Sequence, residues 1–299
     1  MIRKYFLMIN SALLIALLSV SVASVASTRA TYQTTGSEKF GPETSESSAC
    51  AKAMDKAKRN ALLMRYGEHR SNSTILACDS LSQNITGNDC EFFETTWATS
   101  GSEGFIANAE ILDEKVTQTG DAKRCTVNAK IVVQDYEGEA DSLFETYVTV
   151  HEKKLVDRKA TKKIHEISPT ATHSFKAQDK AVIKILSTAP AYHYVFYWAP
   201  QTDKSGYHKI FPNHIDSQLH AETKMQIPSK YKTRNWDIEF KPPRSGYSTE
   251  FLIVVSTKEK LLQIPSMVSE SGFYTWLNQN PRETWTMAKY MYRIIGDSQ

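Results

Sequence analysis

The most apolar and aromatic run of the chain, after its first thirty residues, covers positions 191–199. Aromatic side chains occupy every second position, and most of the positions between them are apolar as well. An extended chain places alternate side chains on opposite faces, so this run is apolar on both faces. Strands of that kind lie in the interior of a sheet. The run therefore predicts a central strand, buried on both sides, in the C-terminal half of the chain.

Shorter extended segments surround this strand, and most of them end at a Pro or Gly turn. Pro190 predicts a break between the central strand and the strand before it. The segment 271–278 has a helical pattern, whereas 283–296 fits either a helix or a closing strand, and both alternatives stay open. Short strands with regular turn signals are typical of a sandwich. We therefore predict a mainly β, sandwich-like domain with a C-terminal helical segment. The additional strands are predicted at 181–186, 207–211, 224–227, 236–240 and 250–256.

The N-terminal half predicts a helix packed on a small sheet, which makes the whole chain α+β. Ser45 or Ser47 is suited to cap a helix that runs as far as Tyr66. Three extended segments alternate apolar and polar residues, and a Gly-Asp turn joins the last two as a hairpin. These segments are 31–40, predicted as an edge strand, 104–115 and 124–133. The apolar face of the helix comprises Cys50, Ala53, Met54, Ala57, Ala61 and Met64. The apolar face of segment 104–115 comprises Phe105, Ala107, Ala109 and Ile111.

The first 26 residues have the pattern of a secretory signal peptide. A basic start at Arg3 and Lys4 precedes an apolar run, and small-x-small cleavage sites follow. The run is short for a membrane span and polar chain comes next, so we expect cleavage rather than an uncleaved anchor. We therefore predict a periplasmic protein with no stable membrane span after cleavage. Association with the outer membrane is a second predicted location.

All four cysteines lie between positions 50 and 125. An even number of cysteines in an exported protein indicates disulfides, and four cysteines allow three pairings. Cys50 lies on the apolar face of the helix and Cys125 on the apolar face of a strand. A helix packed on the sheet therefore favours a Cys50–Cys125 bridge and leaves Cys78 with Cys90. A metal site is the alternative, and it is disfavoured because CxxC and HxxxH spacings are missing.

The chain has 299 residues and a net charge of +3, which is ordinary for a globular protein of two domains. An acidic segment at 135–141 marks the boundary between them. The predicted division is a signal peptide at 1–26, an α+β domain with two disulfides at 31–135, a linker at 136–173 and a mainly β domain at 174–299. The basic segment 153–163 is interpreted as a solvated connector, with a docking surface for an anionic glycan or lipid headgroup as the alternative.

No catalytic motif is visible, since a G-x-S-x-G turn, a phosphate-binding loop and a dinucleotide fingerprint are all missing. We therefore expect no enzymatic activity and no cofactor. No long basic run with interleaved aromatic residues is present, so we expect no nucleic-acid partner. Four histidines occur close together, but their spacing is not that of a known metal site. They are His193, His208, His214 and His220.

Two short segments are candidate interaction sites. A Phe-Pro-Asn sequence follows a predicted strand, where a turn explains all three residue types and a ligand-binding loop is the alternative. A cluster of aromatic residues near the C-terminus lies beside predicted surface turns, and we expect it to form an exposed interaction patch. The candidate residues are Phe211, Pro212, Asn213, Phe273, Tyr274 and Trp276.

An Ala-rich helix, the segment TSGSEGFIANAEILDE and the strand CTVNAKIVV follow one another in the N-terminal half. In this order, residues 31–135 resemble the N-terminal domain of bacterial flagellar assembly protein T. The resemblance implies a helix on a short sheet. It also implies a structural role in the cell envelope or at the flagellar base, without enzymatic activity.

The segments YHYVFYWAP, KIFPNHID, MQIP and EFLIVVS follow one another in the C-terminal half. In this order, residues 174–260 are similar to the domain-of-unknown-function family numbered 4384. That similarity implies a binding or scaffolding module. We therefore predict a non-enzymatic exported protein that acts as a structural or assembly component, with envelope or flagellar basal-body proteins as partners. The alternative is a periplasmic ligand-binding or sensor module for a glycan or small molecule.

Overall fold

The computed structural model describes residues 29–42, 44–66, 104–119, 122–158, 162–199, 206–241, 243 and 246–296 of the chain. The predicted signal peptide and the predicted Cys78–Cys90 bridge lie outside these residues. The described part is α+β, with thirteen strands and two α-helices. None of the helices in these ranges is long and apolar enough to cross a membrane.

The N-terminal half forms a three-stranded antiparallel sheet with one helix packed on it. Helix α1 (Glu46–Tyr66) begins where the Ser45 Oγ accepts a hydrogen bond from the Ser48 amide at 3.2 Å, as one of the two predicted caps requires. The strands are β1 (Arg29–Phe40), β2 (Gly104–Thr119) and β3 (Ala122–Asp135), with β3 in the middle. The predicted helix, hairpin and edge strand are all present. We call α1 with these three strands the helix-on-sheet unit.

Small residues allow α1 to lie very close to β1. Gly36 lies beneath the helix, where an added Cβ would be 1.8 Å from the Ala53 carbonyl oxygen. The Thr34 Oγ1 donates a hydrogen bond to the Ala57 carbonyl oxygen at 2.8 Å. The residues of α1 that face the sheet are fully buried and recur every four positions. They are Ala49, Ala53, Ala57 and Ala61.

A disulfide joins Cys50 on α1 to Cys125 on β3. The Cα atoms are 5.3 Å apart, and the two residues are separated by 75 positions in the sequence. The bond confirms the pairing predicted from the apolar faces of the helix and the strand. A disulfide is compatible with export to an oxidising compartment.

The apolar face predicted for β2 is wrong beyond its first residues. The pairing with β3 shifts register between Ile106 and Asn108, and again between Ile111 and Asp113. A shift of this kind adds a residue to one strand and moves the following side chains to the other face. Phe105 and Ile106 precede the first shift and enter different cores by ordinary alternation. After it, Ala109 packs in the core of Ile106 rather than in that of Phe105. Ile111 is 51% exposed.

The C-terminal half forms a larger sheet that is organised around one long strand, β7 (Lys180–Trp198). The other strands are β4 (Thr146–Arg158), β5 (Lys162–Ile167), β6 (Ser174–Lys176), β8 (Tyr207–Phe211), β9 (Glu222–Ile227), β10 (Ile238–Glu239), β11 (Tyr247–Thr257), β12 (Met267–Val268) and β13 (Trp285–Ile295). The first half of β7 pairs with β4, β9 and β10, and its second half pairs with β8 and β11. Strand β13 lies beside β11, and β6 joins β13 in parallel.

Strand β7 continues through Pro190, where the sequence predicted a break. Residues 181–187 pair with β4 and residues 192–198 pair with β11. Pro190 lies between these two sets of partners, so its missing N–H removes no bond to either strand. The predicted central strand is confirmed, because Tyr194 and Phe196 are fully buried on one face and Val195 on the other.

The segment predicted as a linker, 136–173, contains two strands of the larger sheet. Residues 146–152 of β4 pair with β7, and residues 153–158 pair with β5. Val148 and Val150 point into the core, which gives β4 the alternating pattern of a strand with one buried face. The sequence had indicated a strand at 144–150 within this segment, and β4 overlaps that range.

The segment 283–296, for which helix and strand stayed open, consists mainly of strand β13. Residues 290–294 are all buried, and every second one, namely Tyr290, Tyr292 and Ile294, enters the sandwich core, as a strand requires. The helix predicted just before it is present as α2 (Glu270–Leu277), with Ser269 as its N-cap.

Two buried clusters lie on opposite faces of β7, β11 and β13. The first, the sandwich core, collects Ile183 and Val195 from the two halves of β7 together with Val254 of β11. The two halves of the sheet therefore face each other across one core, as a sandwich-like fold requires. The second, the shared aromatic cluster, includes Phe105 of β2 and Tyr274 of α2. This cluster joins the helix-on-sheet unit to the larger sheet.

Candidate functional site

The Phe-Pro-Asn segment ends β8 and forms a turn that its own side chains stabilise. Phe211 is fully buried in the sandwich core, and the peptide bond to Pro212 is cis. The Asn213 Oδ1 accepts hydrogen bonds from the amides of Ile215 and Asp216, both at 2.8 Å. The side-chain oxygen of Asn213 therefore already accepts hydrogen bonds from the backbone of the same turn. This geometry supports the turn rather than a ligand-binding loop.

Asp216 connects this turn to the loop after β9. Its carboxylate is fully buried and accepts hydrogen bonds from the Ser229 amide at 2.6 Å and from the Ser229 Oγ. A nucleophilic serine needs an adjacent base and access for a substrate. Ser229 is itself buried and already donates to the carboxylate. The pair is therefore a structural crosslink between two loops.

The aromatic residues near the C-terminus are buried, so the predicted exposed patch is wrong for them. Phe273 and Tyr274 lie on α2 and are 0% and 1% exposed, while Trp276 is half-buried. Phe273 packs against Phe196 of β7 with ring centroids 5.0 Å apart, and Tyr274 stacks on Phe105 at 5.8 Å. An amphipathic helix buries its apolar face when a sheet is at hand. The contact that these residues make lies within the molecule.

The four histidines do not converge on one site. His193 is fully buried, His214 and His220 are exposed, and His208 is half-buried beside Tyr197. Their ring nitrogens belong to separate environments, so the arrangement is not that of a metal centre.

His193 and Ser256 form a buried pair that resembles a nucleophile and its base. The His193 Nδ1 is 2.8 Å from the Ser256 Oγ, and the Nε2 is 2.9 Å from the Glu222 carbonyl oxygen. Because a carbonyl oxygen only accepts, the Nε2 carries the proton and the Nδ1 accepts from the hydroxyl. Burial lowers the pKa of His193 and keeps the imidazole neutral. Both side chains are fully buried, so a substrate has no access to them.

Glu250 is the polar residue of the core that sequence reasoning missed. Its side chain is only 8% exposed although it lies on the apolar strand β11. Its carboxyl accepts hydrogen bonds from the hydroxyl groups of Tyr292 at 3.0 Å, Ser248 at 3.2 Å and Tyr197 at 3.3 Å. We call these four residues the Glu250 cluster. The signal in the sequence was an acidic residue at the start of the apolar run EFLIVVS, where an unpaired charge would be costly.

Burial determines the protonation states of the Glu250 cluster. Burial raises the pKa of Glu250, although the three hydroxyl donors act in the opposite direction. The pKa values of Tyr197 and Tyr292 are also raised, by burial first and then by the neighbouring carboxyl. The hydroxyls therefore stay protonated and donate to the carboxyl. The cluster can hold or release a proton, but it lacks the open position next to a nucleophile that group transfer requires.

One grouping in the described ranges has the spacing of metal ligands, namely Cys50, Cys125 and Glu114. The two sulfur atoms are bonded to each other, so they are not thiolates that bind a metal. The sequence had disfavoured a metal site among the cysteines for a different reason, the lack of ligand spacing.

Comparisons with protein-family models, with curated proteins and with solved structures found no match for the chain. The resemblances to flagellar assembly protein T and to the domain-of-unknown-function family therefore stay predictions.

Proposed function

We propose that this chain is a non-enzymatic, exported component of the bacterial cell envelope. It acts as a structural or assembly part through contacts with other proteins. The flagellar base is the assembly that the resemblance of the N-terminal half indicates.

The observation that carries the proposal is the buried connection between the two folded parts. Phe105 of the helix-on-sheet unit packs against Tyr136 and Tyr274, with ring centroids 5.4 and 5.8 Å away. Tyr136 in turn packs edge-on against Trp285 of β13 at 5.0 Å. Aromatic contacts of this size favour a fixed arrangement. A scaffold needs such an arrangement because it holds its partners at set positions.

The burial of three reactive side chains supports the same proposal. Ser256, Ser229 and Glu250 are buried and take part in hydrogen bonds with neighbouring side chains. In these hydrogen bonds the three side chains stabilise the fold, and none of them is exposed to a substrate. On this proposal, the protein acts through its exposed side chains, which bind other proteins.

Fractionation of the source cells tests the proposal. We expect the chain in the envelope fraction, together with proteins that co-purify after mild crosslinking. Recovery with isolated flagellar basal bodies would assign it to that assembly. Recovery with the outer membrane alone would keep an envelope role and remove the flagellar one. A chain found entirely as a free periplasmic protein would contradict the proposal.

A thermal-shift screen distinguishes the alternative function, a ligand-binding or sensor module. A ligand that binds the folded state raises its apparent stability, and above the Kd the gain grows with the logarithm of the ligand concentration. Glycans and small periplasmic metabolites that raise the melting temperature would favour that alternative. An unchanged melting temperature across the panel is the result expected for a scaffold.

A further inference from the structure

An acidic side chain lies beside the disulfide of the helix-on-sheet unit. The carboxylate of Glu114 on β2 lies within 4.8 Å of the sulfur atoms of both Cys50 and Cys125. After the second register shift of β2, Glu114 is paired with Val127, which lies two positions from Cys125 along β3 and on the same face of the sheet. The strand pairing thus holds a carboxylate next to the bond that joins α1 to β3.

In the described part of the chain, the charge of Glu114 is not offset by a neighbouring cation. A second acidic residue, Glu38 of β1, lies directly opposite Cys125, and its carboxylate forms an ion pair with Lys56 at 2.9 Å. Glu114 is exposed and forms no ion pair with any residue of the described ranges. Of these two acidic residues, Glu114 is therefore the one that keeps a net negative charge beside the disulfide.

The chemistry that opens a disulfide moves a negative charge across its two sulfur atoms. A thiolate attacks one sulfur, and the other sulfur leaves as a thiolate. Cys125 is fully buried and Cys50 is 6% exposed, so an incoming thiolate reaches the Cys50 Sγ first. A bond forms from the incoming sulfur to Cys50, the bond to Cys125 breaks, and its electron pair passes to the Cys125 Sγ. A second thiolate then releases Cys50 and forms a disulfide with the first.

We propose that Glu114 protects the disulfide from reduction and selects against thiols that carry negative charge. Its carboxylate repels the incoming thiolate and the charge that spreads over the sulfur atoms. Two unit charges at this distance in water repel enough to slow a reaction about fourfold. A thiol with an ammonium group is attracted by the same carboxylate, so the repulsion is offset. This inference goes beyond the proposed function, which concerns protein partners.

Reduction of the folded chain by glutathione, an anionic thiol, and by cysteamine, a cationic thiol, tests the inference. Mass spectrometry of the alkylated peptides that contain Cys50 and Cys125 gives each rate, and the two thiols are compared at equal thiolate concentration. We expect Glu114→Gln to raise the glutathione rate about fourfold and to reduce the preference for cysteamine. Asp113→Asn is the matched control, because Asp113 is exposed and is paired with Asn128 on the other face of the sheet. It is expected to leave both rates unchanged.

The ratio of the two rates separates an effect of charge from a loss of structure. A Glu114→Gln variant that merely loosened the fold would speed both thiols by the same factor, so an unchanged ratio would overturn the inference. Rates that do not depend on thiol concentration would also overturn it, because the bond would then open only after the chain unfolds. Raising the salt concentration to about 1 M shortens the screening length to about 3 Å. We expect the wild-type glutathione rate to approach that of the variant under this condition.

Discussion

At the scale of single residues, burial favours the neutral forms of His193 and Glu250. The same cause lowers the pKa of His193 and raises that of Glu250, because both shifts disfavour a charge in a medium of low polarity. The imidazole therefore loses its proton at a lower pH than it would in water, and the carboxyl loses its proton at a higher pH. The two residues therefore affect folding stability with opposite dependence on pH.

We expect the variant Glu250→Gln to be more stable than the wild type at pH 7, by up to about 1 kcal/mol, the scale of one buried hydrogen-bonded group. The raised pKa means that the folded state binds its proton more tightly than the unfolded state. The stability that the folded state gains by binding this proton is complete below the pKa of Glu250 in the unfolded state. It is lost as the pH rises through the pKa of Glu250 in the folded state. Urea denaturation at several pH values from acidic to neutral measures this effect, as the difference in the free energy of unfolding between wild type and variant.

An exposed carboxyl provides the control for this experiment. Glu259→Gln makes the same change at an exposed residue, so it is expected to leave the free energy of unfolding at pH 7 unchanged. A Glu250→Gln variant that loses stability at neutral pH would show that the three hydroxyl donors need the ionised carboxylate.

At the scale of secondary-structure elements, the close approach of α1 and β1 depends on Gly36. We expect Gly36→Ala to destabilise the protein by about 1–3 kcal/mol or more, because the new Cβ would meet the backbone of the helix rather than a flexible side chain. Chemical denaturation measures the change. Gly41→Ala is the matched control, since an added Cβ there has no atom within 4 Å. Equal stability of the two variants would contradict the packing described.

A second prediction about the secondary-structure elements concerns the disulfide between α1 and β3. Replacing both Cys50 and Cys125 by Ala is expected to reduce the free energy of unfolding by about 4 kcal/mol, because the bond closes a long loop in the unfolded chain. Urea denaturation of the double variant measures this loss. Peptide mapping without reductant checks the pairing in the wild type. A map that shows both residues as free thiols would contradict the bond.

The sequence predicted the elements better than it predicted their partners. Apolar periodicity located α1, the hairpin and the central strand, since each depends on a local pattern. The bulges in β2 and the continuation of β7 through Pro190 depend on the neighbouring strand, which a local pattern does not contain. The burial of Tyr274 depends on Phe105 of β2, a strand more than 150 positions earlier. The Glu250 cluster was missed because its donors come from three separate segments of the chain.

At the scale of the whole molecule, the end of β3 is the point where the two folded parts meet. Asp135 closes the helix-on-sheet unit, since its carboxylate accepts hydrogen bonds from the Tyr66 hydroxyl at 2.5 Å and from Arg65. Tyr136, the next residue, enters the shared aromatic cluster together with Phe105. The connection is therefore buried, whereas a linker between independent domains is exposed and makes few contacts.

We expect the two parts to unfold together, and Phe105 to be the residue that couples them. The variant Phe105→Ala removes a fully buried ring from the shared aromatic cluster, a change that typically costs about 3–5 kcal/mol. Calorimetry of the wild type should give a single transition, whereas the variant should give two, since the contact between the parts loses its central ring. Phe40→Ala is the control, because it removes a ring from within the helix-on-sheet unit and leaves the shared cluster intact. It should lower the melting temperature and keep one transition. A Phe105→Ala variant that still unfolds in one step, with equal calorimetric and van't Hoff enthalpies, would show that the parts are coupled by contacts other than this ring.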